Sequence, residues 1–193
     1  MGVHAENLWT VESYLAAERQ GEKKHEFLDG ERYAMSGASR SHNKLVWNLV
    51  SALDPQLKAR GCEGYASDMR VHIPATGLYT YPDLAIVCGE PEFLDQEFDT
   101  LLNPTWLIEV LSPSTADYDR GRKFLHYRTI PTIQAYLLVA QDEIRAELFL
   151  RQPANRWLLS ELTRREAVLD LSASKMDFQL PLEDIYRGLD LAS

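Results

Sequence analysis

Two carboxylates interrupt apolar runs of this sequence, and their chemistry needs an explanation. Glu109 lies inside the apolar stretch Trp106–Leu111, and Asp83 opens the run that continues to Cys88. A charged side chain in a core strand is costly unless it is paired, hydrogen-bonded or bound to a cation. If the two strands are adjacent, the acids repel each other, and a divalent cation would relieve that repulsion. All-oxygen ligation favours magnesium, manganese or calcium over zinc.

Each of these acids also has an ordinary structural interpretation. Glu109 could form a salt bridge with a nearby arginine or lysine. Asp83 directly follows a proline and could cap the entrance of its strand. Both interpretations stay open at the level of the sequence.

A charged helical segment follows Glu109. Asp119, Lys123 and Tyr127 are spaced i, i+4 and i+8, which predicts one shared helix face, with Arg120 beside them. The spacing fits a routine Asp–Lys helix pair. It also fits a cation next to a metal site, where it would orient a water or neutralise charge on a phosphate.

Helices and short strands must position these residues. Predicted helices run from Val11, capped by Thr10, to about Gln20, from about Ser41 to Ala59, from a Ser114 or Thr115 cap to about Arg128, and from Pro181 onward. Predicted strands cover residues 69–73, 83–88, 106–111, 134–139, 144–150 and 156–162. Residues 23–27 are expected to continue or restart the first helix, and residues 27–33 to form a hairpin with an Asp-Gly turn. This order predicts one mixed sheet flanked by helices.

Length and composition favour an ordinary globular chain. The 193 residues are 45% apolar and 25% charged, which predicts a single domain over residues 1–193. No apolar run approaches the ~18 residues of a membrane span, and the first nine residues hold no apolar stretch, so we expect a cytoplasmic protein without a signal peptide. Cys62 and Cys88 match no paired motif, and we expect two buried free thiols rather than a disulfide or a metal pair.

The net charge of −9 is unevenly distributed. Residues 90–103 carry −5 and residues 166–193 carry −4, so the remainder is neutral and holds basic clusters at 23–24 and 120–128. Residues 90–103 are predicted to form a surface loop. A nucleic-acid partner is therefore not excluded, although tight non-specific binding by a monomer is not expected.

Several short motifs occur in a fixed order over roughly Val11 to Val139. They are Glu26–Glu31, Met35–Gly37 followed by His42, Tyr81–Asp83, Glu109–Thr115, and the set Asp119, Arg120, Lys123 and Tyr127. This ordered set resembles the PD-(D/E)XK nuclease superfamily, and in particular its Uma family of restriction-type endonucleases. The resemblance implies a restriction-endonuclease-like α/β (α+β) fold, with a central mixed β-sheet flanked by α-helices.

The same resemblance implies a metal-dependent endonuclease that hydrolyses phosphodiester bonds in DNA. Asp83 and Glu109 would hold Mg²⁺, with Mn²⁺ as a substitute, and the carbonyl of Val110 would be a further ligand. Glu26, expected from the first helix, resembles an extra acidic residue near the metal. Lys123 would assist the attack of water on phosphorus. Accessory positions implied by the motifs are His42, Asp119, Arg120 and Tyr127.

One position departs from the superfamily pattern. A lysine usually stands two residues after the glutamate, and this chain has Leu111 there. Because a strand alternates its faces, residue 111 shares the side of Glu109, and a leucine removes the expected cation. Either Lys123 has taken over that role or the site is weakened. The alternative function is a weak or inactive nuclease fold that binds DNA or a protein.

Other enzyme classes find little support. The five histidines form no HxH or HxxxH pair that would indicate a zinc hydrolase, and no GxSxG motif indicates a serine hydrolase. A homodimer is expected because a duplex cutter needs two sites and symmetric dimers are the commonest assembly.

Overall fold

Short strands and helices alternate along the chain in the computed structural model, which describes residues 8–171 and 177–191. The helical segments are α1 (Val11–Gln20), α2 (Arg40–Ala59), α3 (Ala116–Tyr118), a π-helix (Asp119–Lys123), α4 (Phe124–Tyr127), a 3₁₀ turn (Pro153–Asn155) and α5 (Leu182–Ile185). The strands are β1 (His25–Leu28), β2 (Glu31–Ala34), β3 (Cys62–Ala66), β4 (Arg70–Ile73), β5 (Leu78–Thr80), β6 (Leu84–Cys88), β7 (Thr100–Leu101), β8 (Trp106–Leu111), β9 (Ala135–Ala140), β10 (Ala146–Gln152), β11 (Arg156–Leu162), β12 (Val168–Asp170) and β13 (Gln179–Pro181). None of these helices is long and apolar enough to cross a membrane.

The strands of the described residues form two larger sheets and a two-stranded ribbon. The six-stranded sheet has the order β11-β10-β9-β8-β6-β3, and the five-stranded sheet has the order β2-β1-β5-β4-β7. Both are mixed, because β8 runs parallel to β9 and β4 runs parallel to β7. The predicted fold class, a central mixed sheet flanked by helices, is confirmed. The five-stranded sheet is an addition that the sequence analysis did not predict.

The six-stranded sheet is buried on both faces. One face packs against α2 through Leu45, Leu49 and Leu53, whose i, i+4, i+8 spacing forms a single apolar stripe. The opposite face packs against the five-stranded sheet and the chain that follows the π-helix. Strands β8 and β9 are buried along their whole length, which explains why their sequences read as continuous apolar runs. The one acidic residue in these two strands is Glu109.

The predicted helix over residues 23–27 is wrong. This segment enters β1, which pairs with β2 and β5. Phe27 stacks on Tyr14 of α1 with ring centroids 4.7 Å apart, so the alternation of the strand turns Glu26 to the opposite face. The hairpin turn is confirmed, because Asp29 and Gly30 both adopt the positive φ that a tight Asp-Gly turn requires.

The third helix spans its predicted range but is less regular than predicted. It is divided into α3, a π-helix and α4, and it ends at Tyr127. Thr115, one of the two predicted caps, occupies the N-cap position, but it has a helical backbone and its side chain makes no capping hydrogen bond. The helical turn at Asp119–Lys123 is widened, and π-type turns of this kind are frequent at functional sites.

The acidic segment 90–103 is not entirely a surface loop. Thr100–Leu101 is fully buried and pairs with β4 as strand β7. Arg19 holds this segment against α1, because its guanidinium contacts Asp95 at 2.7 Å and Asp99 at 2.8 Å. Part of the negative charge is therefore neutralised within the fold.

The prediction of two free thiols is wrong. Cys62 and Cys88 lie directly opposite each other on the antiparallel strands β3 and β6 and form a disulfide, with Cα atoms 4.2 Å apart. Their sequence separation of 26 hid this pairing, because only the register of the two strands brings the cysteines together.

Candidate active site

Asp83 lies where β6 separates from β8. The last register pair of these strands joins Leu84 and Ile108. Beyond this pair, bonds to carboxylates replace the backbone ladder. The Asp83 Oδ2 accepts the N–H of Val110 at 2.7 Å, and the N–H of Asp83 donates to Oε2 of Glu109 at 3.3 Å. Asp83 therefore caps the end of the strand ladder, as one interpretation of the sequence allowed. The same exchange brings the two carboxylates together.

Lys123 lies in the middle of three buried carboxylates. Its Nζ is 2.8 Å from Oε1 of Glu109, 3.4 Å from Oε1 of Glu26 and 3.5 Å from Oδ1 of Asp119. The Lys123 and Glu109 side chains are each only 5% exposed. Both structural pairings that the sequence allowed, the Glu109 salt bridge and the i, i+4 helix pair, are present. Leu111 is buried in the core, so the cation beside Glu109 comes from the π-helix.

Glu26 reaches this cluster from β1 rather than from the first helix, which corrects its predicted location. Its Oε2 accepts a hydrogen bond from Tyr118 at 2.9 Å, and its Oε1 accepts one from the hydroxyl of Thr80. Neither partner was predicted from the sequence. Tyr118 immediately precedes Asp119, which was a usable signal, whereas Thr80 belongs to a strand that was not predicted.

Burial dominates the electrostatics of the cluster. Desolvation raises the pKa of Glu109 to about 8, although the charge of Lys123 opposes the shift. Desolvation also raises the pKa of Asp119. Burial alone would lower the pKa of Lys123, but the carboxylates around it, Glu109 foremost, raise it well above its usual value. The lysine is therefore a permanent cation in a site with an excess of acidic groups.

Tyr127 belongs to the cluster, as predicted. Its hydroxyl donates to Oε1 of Glu109 at 2.8 Å, on the same oxygen that contacts Lys123. Arg120 is the predicted accessory residue that does not join. Its Nε donates instead to Glu147 of β10 at 2.8 Å, so it lies beside the cluster without contacting it.

His42 approaches the site from the start of α2. The Ser39 side chain caps this helix by accepting the N–H of His42, which fixes the first turn. The imidazole Nε2 then lies 3.1 Å from Oδ2 of Asp83. Its Nδ1 is buried and finds no hydrogen-bond partner among the described residues.

The donor set suits a hard divalent cation only with help from solvent or substrate. Within residues 8–171 and 177–191, no three histidine, cysteine, aspartate or glutamate side chains form a group that could hold a metal ion; His4 lies outside those residues. Magnesium, however, is usually held by one or two carboxylates, waters and substrate phosphates. Asp83 and Glu109 supply two carboxylates. Because the N–H and C=O of a strand residue face the same neighbour, the Val110 carbonyl is directed to the Asp83 side as well.

A family match accompanies this geometry. Residues 11–183 match the model of the Uma2 family, whose description reads "Putative restriction endonuclease". The chain belongs to the Uma2 family. The matched range contains Glu26, Asp83, Glu109 and Lys123, and the resemblance drawn from the sequence motifs is confirmed.

Similar proteins match this chain over nearly their whole length. Two uncharacterized proteins of Synechocystis sp. PCC 6803, sll1609 and slr1290, are 38% and 35% identical to this chain. The first alignment covers 91% of this chain and 99% of the relative, and the second covers 92% and 91%. A crystal structure described as a putative nuclease belonging to DUF820, from Anabaena variabilis, matches with a TM-score of 0.69 over 86% of this chain and 91% of its own. At 17% identity, that likeness establishes the shared fold.

Proposed function

We propose that this Uma2 protein is a metal-dependent endonuclease that hydrolyses phosphodiester bonds in DNA. The observation that carries the proposal is the buried cluster itself: Lys123 lies 2.8 Å from Glu109, whose other carboxylate oxygen is bonded to the backbone of Asp83. The family description and the description of the Anabaena structure as a putative nuclease support the same class of reaction.

The proposed metal ligands are the carboxylates of Asp83 and Glu109 and the carbonyl of Val110, with Glu26 as an additional acidic group. Mg²⁺, or Mn²⁺ in its place, would supply positive charge for the phosphate and a more acidic water. Asp83 is already oriented for this task, because Val110 and His42 both contact its Oδ2. Its Oδ1 is then the oxygen left to face a cation.

Lys123 has an electrostatic role in this proposal. Its raised pKa keeps the ammonium charged at neutral pH, so it does not accept the proton of the attacking water. It neutralises charge that develops on the phosphate, where a fixed cation in a site of low dielectric is most effective. The hydroxyl of Tyr127 holds Oε1 of Glu109, and this oxygen in turn holds the Lys123 ammonium in place.

A binding module without cleavage is the competing function. It rests on Leu111, which replaces the lysine expected two residues after Glu109. The position of Lys123 weakens this argument, because the π-helix supplies an ammonium to the same carboxylate.

Cleavage of DNA tests the proposal directly. Supercoiled plasmid and circular single-stranded DNA are incubated with Mg²⁺ or Mn²⁺ and with wild type, Asp83→Asn, Glu109→Gln or Lys123→Met. We expect metal-dependent cutting that each substitution lowers at least about 100-fold, because Asp83→Asn and Glu109→Gln remove charge that would hold the metal and Lys123→Met removes the cation that would stabilise the phosphate. Lys58→Met removes an exposed lysine as the control and leaves cutting unchanged.

A metal titration by calorimetry distinguishes the competing function. Saturable Mn²⁺ binding that Asp83→Ala and Glu109→Ala both abolish is expected of the nuclease. If neither DNA is cut and no metal binds, with or without a short DNA duplex present, the binding module is the better description. A homodimer and a cytoplasmic location stay predictions, and sedimentation of the purified protein tests the first.

A further inference from the structure

An exposed aromatic side chain borders the acidic cluster. Tyr33 of β2 lies directly opposite Glu26 of β1 in the antiparallel hairpin. Directly opposed residues point to the same face of a sheet, with Cβ atoms about 5 Å apart. Tyr33 therefore projects from the sheet next to Glu26, whose carboxylate contacts Lys123, on the side that faces the π-helix.

This tyrosine belongs to a small rim at the edge of the five-stranded sheet. Tyr33 is 49% exposed, and Met35, two residues along the same face, is 38% exposed. The Tyr33 hydroxyl donates to the carboxylate of Glu31, which holds the ring in one orientation. The hydrogen bond to Glu31 raises the pKa of Tyr33, and the charge of Arg122, an exposed residue of the π-helix, opposes that shift.

A single aromatic ring next to the reacting position suits one kind of nucleic acid. The bases of an intact duplex are stacked on one another, so their faces are accessible only where a base is unpaired. Stacking of such a base on an aromatic side chain is tolerant of sequence and contributes substantially to affinity. Both kinds of nucleic acid also need phosphate contacts by lysine and arginine, so the exposed ring is the feature that distinguishes a single strand from a duplex here.

We infer that Tyr33 is a stacking platform for an unpaired nucleobase next to the cleaved phosphate, so that the preferred substrate is single-stranded or locally unpaired DNA. This inference rests on the proposed function for the position of the phosphate. Arg122 would contact a phosphate of the same strand, and Met35 would cover the apolar edge of the base. The acidic cluster would then act on the backbone immediately beside the stacked nucleotide.

A fluorescent base analogue tests stacking without relying on cleavage. A 12-nucleotide strand with a central 2-aminopurine is titrated with protein, alone and annealed to its complement. Ca²⁺ replaces Mg²⁺ to neutralise the acidic cluster, and a gel checks that the strand stays intact. The variants are Tyr33→Ala, Tyr33→Phe and the control Phe98→Ala. Phe98 is also an exposed aromatic residue, 54% exposed, and it precedes β7, the opposite edge strand of the same sheet, four strand spacings or about 19 Å from β2.

We expect wild type to quench the 2-aminopurine of the single strand and to bind it at least tenfold more tightly than the duplex. Tyr33→Ala should weaken binding by about 5- to 150-fold, the range found for loss of one aromatic stack, and should abolish quenching. Tyr33→Phe keeps the ring and should bind like wild type, as should Phe98→Ala. Equal affinity for strand and duplex, or unchanged binding by Tyr33→Ala, would overturn the inference.

The result separates this inference from the proposed function. If Tyr33→Ala binds normally but plasmid cutting still depends on Asp83, the nuclease stands and the stacking platform does not. If the strand is bound and quenched through Tyr33 but no DNA is cut with Mg²⁺ or Mn²⁺, the platform stands and the nuclease does not.

Discussion

Among the described residues, Lys123 is the one cation inside the acidic cluster of Glu26, Glu109 and Asp119. Lys123→Met removes this charge and keeps an unbranched side chain of similar length. In wild type the ammonium lies within 3.5 Å of Glu109, Glu26 and Asp119. The substitution leaves these carboxyl groups buried beside an apolar group. Removing one partner of a buried ion pair typically costs about 3–5 kcal/mol, because the remaining charge has no compensation.

The size of this loss depends on pH. Without Lys123 the pKa of Glu109 rises above its value of about 8, since the positive charge that opposed the shift is gone. The variant can then relieve part of the cost by keeping a proton on Glu109. Protonation becomes harder as pH rises, so the difference in free energy of unfolding between wild type and variant is smaller at pH 6 and larger at pH 9.

Urea unfolding measures this difference. With a slope of about 2 kcal/mol/M for a chain of this size, a loss of 3–5 kcal/mol lowers the midpoint by about 1.5–2.5 M at pH 9. Lys58→Met is the matched control, because Lys58 is 75% exposed in its i, i+4 pair with Asp54. Its effect should stay below about 0.5 kcal/mol.

A midpoint for Lys123→Met within 0.3 M of the control, at about the precision of such titrations, would refute this description of the site. If Lys123→Met alone does not fold, the double variant Lys123→Met/Glu109→Gln provides the test. It should regain stability, because glutamine fills the same space without a charge that needs the lysine.

Three further perturbations test other parts of the structure. Burial raises the pKa of Glu109 to about 8, so the native state holds a proton that the unfolded chain releases near pH 4.5. The free energy of unfolding of wild type therefore falls as the pH rises from 5 to 8, and in urea titrations Glu109→Gln should become more stable relative to wild type over that range. An equal pH dependence of the two proteins would contradict a raised pKa of Glu109. The disulfide of Cys62 and Cys88 closes a loop with a sequence separation of 26; replacing both with serine should lower the free energy of unfolding by about 3 kcal/mol, and two free thiols in the denatured, unreduced protein would disprove the bond. His42→Ala should weaken Mn²⁺ binding in calorimetry about tenfold, because it frees the Asp83 carboxylate to rotate, while His42→Gln should retain most of the affinity; equal affinities would exclude this positioning role.

Local signals in the sequence predicted the elements that need little tertiary help. Helix α1 begins and ends where its Thr10 cap and apolar spacing place it, and the Asp-Gly pair at Asp29 forms the expected turn. Strand β8 has its predicted bounds because an unbroken apolar run of six residues suits a strand buried on both faces. The same run made Glu109 conspicuous, since a carboxylate in such a strand requires a partner.

Tertiary structure decided which partners the conspicuous residues have. The sequence allowed a helix at residues 23–27, but pairing of β1 with β2 and β5 makes it a strand, and that change moves Glu26 to the site and places Tyr33 beside it. Strand register joins Cys62 to Cys88 across a sequence separation of 26. The packing of the π-helix against β8 brings the Lys123 ammonium to Glu109, a charge that Leu111 cannot provide. Chain-local spacing predicts helices, turns and buried strands because those depend on neighbouring residues; the charges around Glu109 depend on which distant segments pack together, and only the folded chain specifies that.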